Sequence, residues 1–321
     1  MSTFTTAIGI DFGGTSIKSA VIRSGAVVQR GTPIDPQATP GSDALMDSLV
    51  DLIAKLRADH PDIAGVGVGL PGFVDSVQGI VHQLTNVEGW NDVPLRQILH
   101  ERTGLPVTIE NDANAMAYGE FKHGAASGGR HVICVTLGTG VGGALILDGH
   151  LFRGAQLAAG EIGHMSIDFH GQPGPYGNNG GLEEYVGNVQ IAQRAVKRYR
   201  AAGQEKSEAD CTPVNLAGAA EGGDSIAAAL WNDLGIELGA ALASVIWLIN
   251  PDTIVIGGGV ANAGDLIFEP IRREIRLRTL ALFHERLRVV PAALGNDAGI
   301  IGNAILALEA AELFRSRAKI V

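Results

Sequence analysis

Cysteine is nearly absent from the chain: Cys134 and Cys211 are the two among 321 residues. Two cannot build a disulfide framework, and Cys134 lies in the apolar run HVICVTL, where a small buried thiol is the expected role. The expected setting is therefore the reducing cytoplasm. Basic charge is also short, with 24 Lys and Arg against 34 Asp and Glu and a net charge of −10. Nucleic acid and anionic membrane both demand basic surface, so neither is expected as the main partner. The opening MSTFTTAIGIDFGG has no basic segment followed by an apolar one, so no export leader is expected. The most apolar long stretch, IAAALWNDLGIELGAALASVIWLIN, is interrupted by Asn232, Asp233 and Glu237, which predicts a buried core helix instead of the roughly 20-residue apolar span a membrane requires. No G-x-x-x-x-G-K-[ST] occurs, which excludes a P-loop kinase.

What is present is apolar substance, 46% of residues, in a chain longer than one core usually fills, so two lobes are expected. TAIGI reads as a strand, DFGGTS as a turn, and IKSAVI and AVVQRG as two strands joined at Ser24-Gly25. Residues 42–58 put Leu45, Leu49, Leu52, Ile53 and Leu56 on one helical face, with Ser42 or Asp43 available as cap. AGVGVGL is a buried strand ending at Pro71-Gly72, residues 94–101 a short helix with Pro94 in its first turn, and PVTIEN a further strand before a helix near Asp112. HVICVTL, GTGVGG, ALIL, Asp148-Gly149 and HLFRG then repeat the opening order of strand, Gly turn and hairpin. That repetition suggests an internally duplicated α/β protein. Helices at 183–199 and 224–249, the strand TIVIGGG, a helix from 264, the strand RVVPA and a helix from 298 complete the expectation. In such alternating chains ligands bind at the carboxyl edges of the strands. The small, polar stretch EFKHGAASGGR marks the lobe boundary near residues 120–130.

Asp11-Phe12-Gly13-Gly14-Thr15-Ser16 closes a buried strand with two residues that lack a Cβ and two hydroxyls, a composition whose backbone N–H groups can cradle phosphate or simply make a tight turn. Lys18 lies close by and is either part of that loop or a solvated strand residue. Gly138 to Gly143 match G-x-G-x-x-G, but a hairpin follows where a dinucleotide fingerprint needs a helix, so a nicotinamide site is rejected and a second phosphate-facing turn retained. Asp112, after Asn111, sits where an acid can cap a helix. In the company of two Gly turns it is also placed as the base that phosphoryl transfer to a hydroxyl requires, with Mg²⁺ and backbone donors taking the phosphate charge. Glu161 and His164, three apart in GEIGH, together with Glu183, suit either a metal or the vicinal hydroxyls of a sugar, and Asn86 can join them as an amide.

Taken in order, IGIDFGGTSIK, VGVGLPGFVD, IENDANA, TLGTGVGGALILDG, GEIGHMSID and GLEEYVG resemble the ROK family of sugar kinases and repressors along nearly the whole chain. The resemblance implies the two-lobed, actin-like, ribonuclease-H-like ATPase fold with the active site in the cleft, a small lobe of residues 1–122 completed by 300–321, and a large lobe of 123–299. It implies ATP- and Mg²⁺-dependent phosphorylation of a hexose, glucose first, at the 6-hydroxyl, by a cytoplasmic homodimer. Asp11, Gly13, Gly14 and Thr15 then form the first phosphate loop, with Asp11 placing Mg²⁺. Gly138, Thr139 and Gly140 form the second, and Gly257, Gly258 and Gly259 lie against the adenine. Asp112 is the catalytic base. Gly72, Asn86, Asn111, Glu161, His164 and Glu183 meet the sugar.

One departure stands out. The family pattern after GH carries C-x-C-G-x-x-G-C-L-E, whose three cysteines join the histidine around Zn²⁺, but here the aligned GPYGNNGGLE puts Gly174, Tyr176 and Gly181 at those positions. A structural zinc site wants four N or S ligands, so no zinc is expected. Fructokinase, mannokinase or N-acetylhexosamine kinase activity, a polyphosphate donor, and a sugar-binding protein without catalysis are the alternatives. A sugar-responsive repressor would need a helix-turn-helix region ahead of the first loop, which begins at residue 11, and is disfavoured.

Overall fold

The structure is a computed structural model that describes residues 4–39, 41–84 and 89–318. The chain divides into two compact units: Met1–Ser127 with Gly154–Ala158 and Asn296–Val321, and Gly128–Arg153 with Ala159–Gly295.

The first unit contains strands β1 (Thr6–Phe12), β2 (Ile17–Arg23), β3 (Ala26–Arg30), β4 (Val66–Leu70), β5 (Gly72–Asp75), β6 (Ile80–Leu84), β7 (Asn91–Val93) and β8 (Val107–Asn111). Its helices are α1 (Ser42–Asp59), α2 (Leu95–Thr103) and α3 (Asp112–His123). The main sheet runs β3-β2-β1-β4-β8, antiparallel on the hairpin side and parallel from β1 onward. Ser24 and Gly25 both take positive φ, 50° and 83°, the two-residue turn whose twist matches that of the flanking strands. The α1 cap departs from expectation: Gly41 occupies the cap position with no side-chain bond, and Asp43 serves as an acid in the first turn. Residues 72–93, to which the sequence reading assigns no element, carry the antiparallel sheet β5-β6-β7.

The second unit contains β9 (Val132–Leu137), β10 (Val141–Leu147), β11 (His150–Phe152), β12 (Thr253–Gly257) and β13 (Arg288–Pro291). Its helices are α4 (Glu183–Val186), α5 (Asn188–Ala201), α6 (Pro213–Glu221), α7 (Ser225–Ile249), α8 (Asp265–Arg278) and α9 (Ala281–His284). Its sheet runs β11-β10-β9-β12-β13, again an antiparallel hairpin on one side and parallel strands on the other. Hairpin, first strand and two parallel additions thus occur twice in the same spatial order, and this is the duplication that the repeated Gly turns signalled.

By length and composition helix α7 is apolar enough to cross a membrane despite its polar interruptions, but it is the core helix that the sequence predicts. Leu230, Trp231, Leu234, Leu238, Leu242 and Ile246 lie buried in the second unit's core. Asp233 pairs with Arg198 at 2.6 Å, and Glu237 takes a two-bond fork from Arg194 at 2.6 and 2.7 Å. Asp233 and Glu237 thus tie α7 to α5, while Asn232 accepts from Arg273 of α8 at 2.6 Å.

Helix α10 (Ala298–Ala318) belongs to the first unit and packs on β1, β4 and α3. Gly9 on β1 and Gly67 on β4 permit this, since a Cβ at either position would collide with the carbonyls of Ile300 and Asn303. Asn303 is buried and donates through Nδ2 to the Ile10 carbonyl at 2.9 Å, fixing the helix on the central strand.

Candidate active site

In the first unit β1 delivers Asp11 to the edge of the Gly13–Ser16 turn. Gly13 N–H bonds the Ser16 carbonyl at 3.2 Å, and a Cβ on Gly13 would stand 2.8 Å from that oxygen, so the turn requires glycine there. Lys18 faces Asp11 across the β1–β2 register with an exposed side chain. Burial pushes the Asp11 carboxyl above its ordinary value, while Lys18 pulls it back. The first turn of α10 lies close by: a Cβ on Gly299 would be 3.5 Å from Asp11 Oδ1. Arg30 on β3 grips Asp297, just ahead of α10, through two bonds of 2.8 Å. That hydrogen bonding, with Lys18 adding to it, holds the Asp297 carboxyl below the usual range. Sequence reasoning missed this pair, whose members are 267 residues apart.

The joint between β8 and α3 shows which residue caps the helix. The cap is Asn111, in extended conformation (φ −64°, ψ 145°), whose Oδ1 accepts the Asn114 N–H at 3.1 Å. Asp112 is the first helical residue, with Oδ1 on the adjacent Ala113 N–H at 2.8 Å. The capping reading of Asp112 is therefore corrected, because its neighbour performs that duty. Asn111 in turn has its oxygen committed and its amide nitrogen to offer. Buried Glu110, another residue missed from sequence, accepts both the Asn111 N–H at 3.1 Å and the Asn114 side-chain amide at 3.0 Å, bracing the joint. Gly72 opens β5 at φ 100°. Asn86 lies outside the described residues.

In the second unit Gly138, Thr139 and Gly140 link β9 to β10. A strand follows the glycines, as the rejection of a dinucleotide fingerprint requires. Gly138 N–H bonds the Gly140 carbonyl at 2.9 Å, and Asn188 N–H bonds the Gly138 carbonyl at 3.0 Å. The helix expected over 183–199 is broken at Gly187, where extended backbone (ψ 153°) separates α4 from α5, and a Cβ would stand 3.0 Å from the Thr139 carbonyl. The break thus lets the chain pass close to the Gly turn. Gly257 ends β12, and Gly258 at φ 87° lies so close to the Leu137 backbone that no side chain fits. Gly259 opens a short 3₁₀ turn to Ala263.

Glu161, His164 and Glu183 come together in this unit. Residues 162–164 form one 3₁₀ turn, so Glu161 and His164 share a face with Oε2 and Nε2 4.0 Å apart. Partial burial pushes the Glu161 carboxyl above its ordinary value; His164 lowers it and the charge of Glu183 raises it further. Glu183, first residue of α4, accepts the Val141 N–H. Between them the Gly/Pro segment is ordered by its own backbone: Ile167 N–H to Gly180 carbonyl at 2.8 Å, Gly180 N–H to Gln172 at 2.7 Å, and Gly174 N–H to Asn178 at 2.6 Å. At the positions of the family's cysteines, Gly174 and Gly181 have no side chain, and Tyr176 sets its ring edge-on to His164 with centroids 4.9 Å apart. One imidazole without thiolates does not supply a tetrahedral zinc set.

Two sheets of one strand order, each with a Gly turn after its first long strand, are the frame of the actin-like ATPase fold. A ROK family glucokinase from Streptomyces griseus, in complex with glucose and AMPPNP, superimposes with a TM-score of 0.78 at 32% identity, covering 95% of this chain and 99% of that one. The glucokinase of Halalkalibacterium halodurans is 34% identical over 306 residues, 92% of each chain. That of Streptomyces coelicolor is 35% identical over 314 residues, 94% of this chain and 97% of the relative. The ROK family pattern matches residues 7–310, and the chain belongs to the ROK family.

Proposed function

We propose that this chain, a hexose kinase, uses ATP to phosphorylate the 6-hydroxyl of glucose. The observation that carries the reading is Asp112, an acid at the β8–α3 joint whose capping duty falls to Asn111. Phosphoryl transfer to an alcohol needs a base for the hydroxyl proton and donors for the phosphate charge. Asp112 takes the proton. Asn111, through its amide nitrogen, Gly72 and Asn86 hold the sugar, and Glu161, His164 and Glu183 meet its other hydroxyls, carboxylates accepting and imidazole donating. Asp11, Gly13, Gly14, Thr15 and Lys18 face one part of the triphosphate, Gly138, Thr139 and Gly140 another, and Gly257, Gly258 and Gly259 the adenine. The partly buried Asp11 carboxylate fits a hard cation held by one acid and substrate phosphates, and Mg²⁺ there would neutralise phosphate charge. The glucokinase relatives, a third identical over nine-tenths of the chain, support glucose as substrate.

The enzyme acts in the cytoplasm as a homodimer. Two buried free thiols suit a reducing compartment, and exposed Trp247, Leu248, Leu277, Leu280 and Leu282 give the second unit an apolar surface for a second copy. Sedimentation would check the dimer. The deciding measurement is ADP release across hexoses and N-acetylhexosamines, with polyphosphate run against ATP. Glucose with ATP should give the highest kcat/KM. Asp112→Asn should lower kcat by about 10²–10⁴-fold while glucose still binds. Parent-like turnover in that variant would sink the assignment of the base.

A further inference from the structure

Asn178 occupies the centre of the Gly/Pro segment. Its Nδ2 donates to the His164 carbonyl at 2.9 Å. Its Oδ1 is buried and has no hydrogen-bond partner among the described residues. A Cβ on Gly174 would stand 2.6 Å from that oxygen, and one on Gly181 would stand 3.3 Å from the Asn178 nitrogen. The amide therefore fills the space that the absent side chains of Gly174 and Gly181 leave open, directly against the backbone of His164. Around it Ser166 Oγ donates to the Asn179 carbonyl, and Leu182 N–H bonds the Met165 carbonyl at 2.9 Å, so the C-terminal part of the segment is sewn to the stretch of chain that follows His164.

We infer that Asn178 is a positioning residue for His164, doing by one amide hydrogen bond what a metal held by residues 164, 174, 176 and 181 would do by coordination. Two observations support this beyond the missing thiolates. A buried amide oxygen without a partner is costly, and such groups are retained where geometry demands them. Tyr176 at the remaining position is largely exposed, yet its ring meets His164 at an interplanar angle of 89°. The amide thus holds the His164 backbone and the phenol ring flanks the imidazole, which leaves Nε2 directed at Glu161. Glycine at 174 and 181 is part of the same device, since a side chain at 174 would evict the amide.

The inference rests on His164 binding sugar, and the test separates the two ideas. In the full chain, Asn178→Ala and Asn178→Asp should each raise the glucose KM by about tenfold, the factor that one lost hydrogen bond carries, with kcat and the ATP KM within about twofold of the parent. Aspartate keeps the shape but lacks the donor, so a parent-like glucose KM in Asn178→Asp would show mere packing and overturn the inference. Stoichiometric zinc in the purified parent would overturn it too. Tyr176→Ala, at an exposed position that does not threaten folding, should raise the glucose KM by about threefold for the loss of an edge contact; no change there would remove the ring from the device. His164→Ala is the control. If it leaves the glucose KM unaltered, the sugar-binding reading fails; if it raises KM while both Asn178 variants do not, only the Asn178 inference fails.

Discussion

Glu183 Oε2 accepts the backbone N–H of Val141 at 2.7 Å, so the acid that closes the Gly/Pro segment also holds the turn of Gly138, Thr139 and Gly140. A Cβ on Gly140 would fall on that same carboxylate. Under the proposed function, in which Glu183 meets the sugar and Gly138–Gly140 the phosphates, the two groups are braced against each other. Gly140→Ala should displace both, and because a displacement of about 1 Å can cost around 100-fold, kcat/KM for glucose and for ATP should fall together by that order. Steady-state kinetics with each substrate varied would check it; loss confined to ATP would contradict the coupling.

The raised Glu161 carboxyl has a pH consequence. A carboxyl whose folded pKa exceeds its ordinary 4.5 favours folding fully only below the unfolded value, and that contribution is lost as pH rises through the folded value. Above the folded value that contribution is gone, and the ionised carboxylate carries the cost of its partial burial. Glu161→Gln should melt at or above the parent temperature at pH 7 while its glucose KM rises. In the parent, glucose KM should climb on acidification at a higher pH than an unshifted glutamate would give, and the variant should lack that limb.

The hairpins and the Gly turns were legible because local rules decide them: Ser24-Gly25 and Asp148-Gly149 carry the positive φ that two-residue hairpins need, and apolar runs ended at glycine. The candidate site residues could be named from the sequence as types in order, including the acid at 112. Their geometry was not legible. Whether Asn111 or Asp112 caps α3 depends on a single ψ angle, and the α4–α5 break depends on the Thr139 carbonyl arriving beside Gly187. Arg30–Asp297 and Asn178–His164 join residues whose pairing no periodicity announces. The β5–β7 sheet was missed because strands of 3 to 5 residues with one bulge give no clear alternation.

Asp224 caps the 25-residue α7 by accepting the Ile226 and Ala227 N–H groups at 2.9 and 3.1 Å, and its other oxygen takes the buried Tyr199 hydroxyl at 2.7 Å. The tyrosine bond, with the two backbone bonds, outweighs burial and holds the carboxyl below its ordinary 3.8. Stability from this group is present above the unfolded value and lost as pH falls through the lower folded one. Asp224→Ala should cost about 1–2 kcal/mol for the cap, and about 1–3 kcal/mol more for the stranded hydroxyl. Denaturant melts at pH 7 would show the loss, and the gap to the parent should narrow in strong acid.

Helices α3 and α10 cross at glycine. A Cβ on Gly119 would meet the Ala298 carbonyl, and one on Gly302 would meet the Ala115 carbonyl and, at 2.9 Å, the Gly119 nitrogen. The obstacles are backbone atoms, which cannot rotate aside as a side-chain end can. Gly302→Ala should therefore push α10 from α3 and lower stability by about 1–3 kcal/mol or more. The same substitution at Gly218, inside α6 with nothing within 4 Å of its Cβ, should raise stability by about 0.5–1 kcal/mol through helix propensity and a less flexible unfolded chain. Opposite signs in urea unfolding would show that the crossing, not the loss of a glycine as such, sets the cost. Because α10 also carries Gly299 beside Asp11, Gly302→Ala should raise the ATP KM at temperatures where the protein is still folded, whereas Gly218→Ala should not.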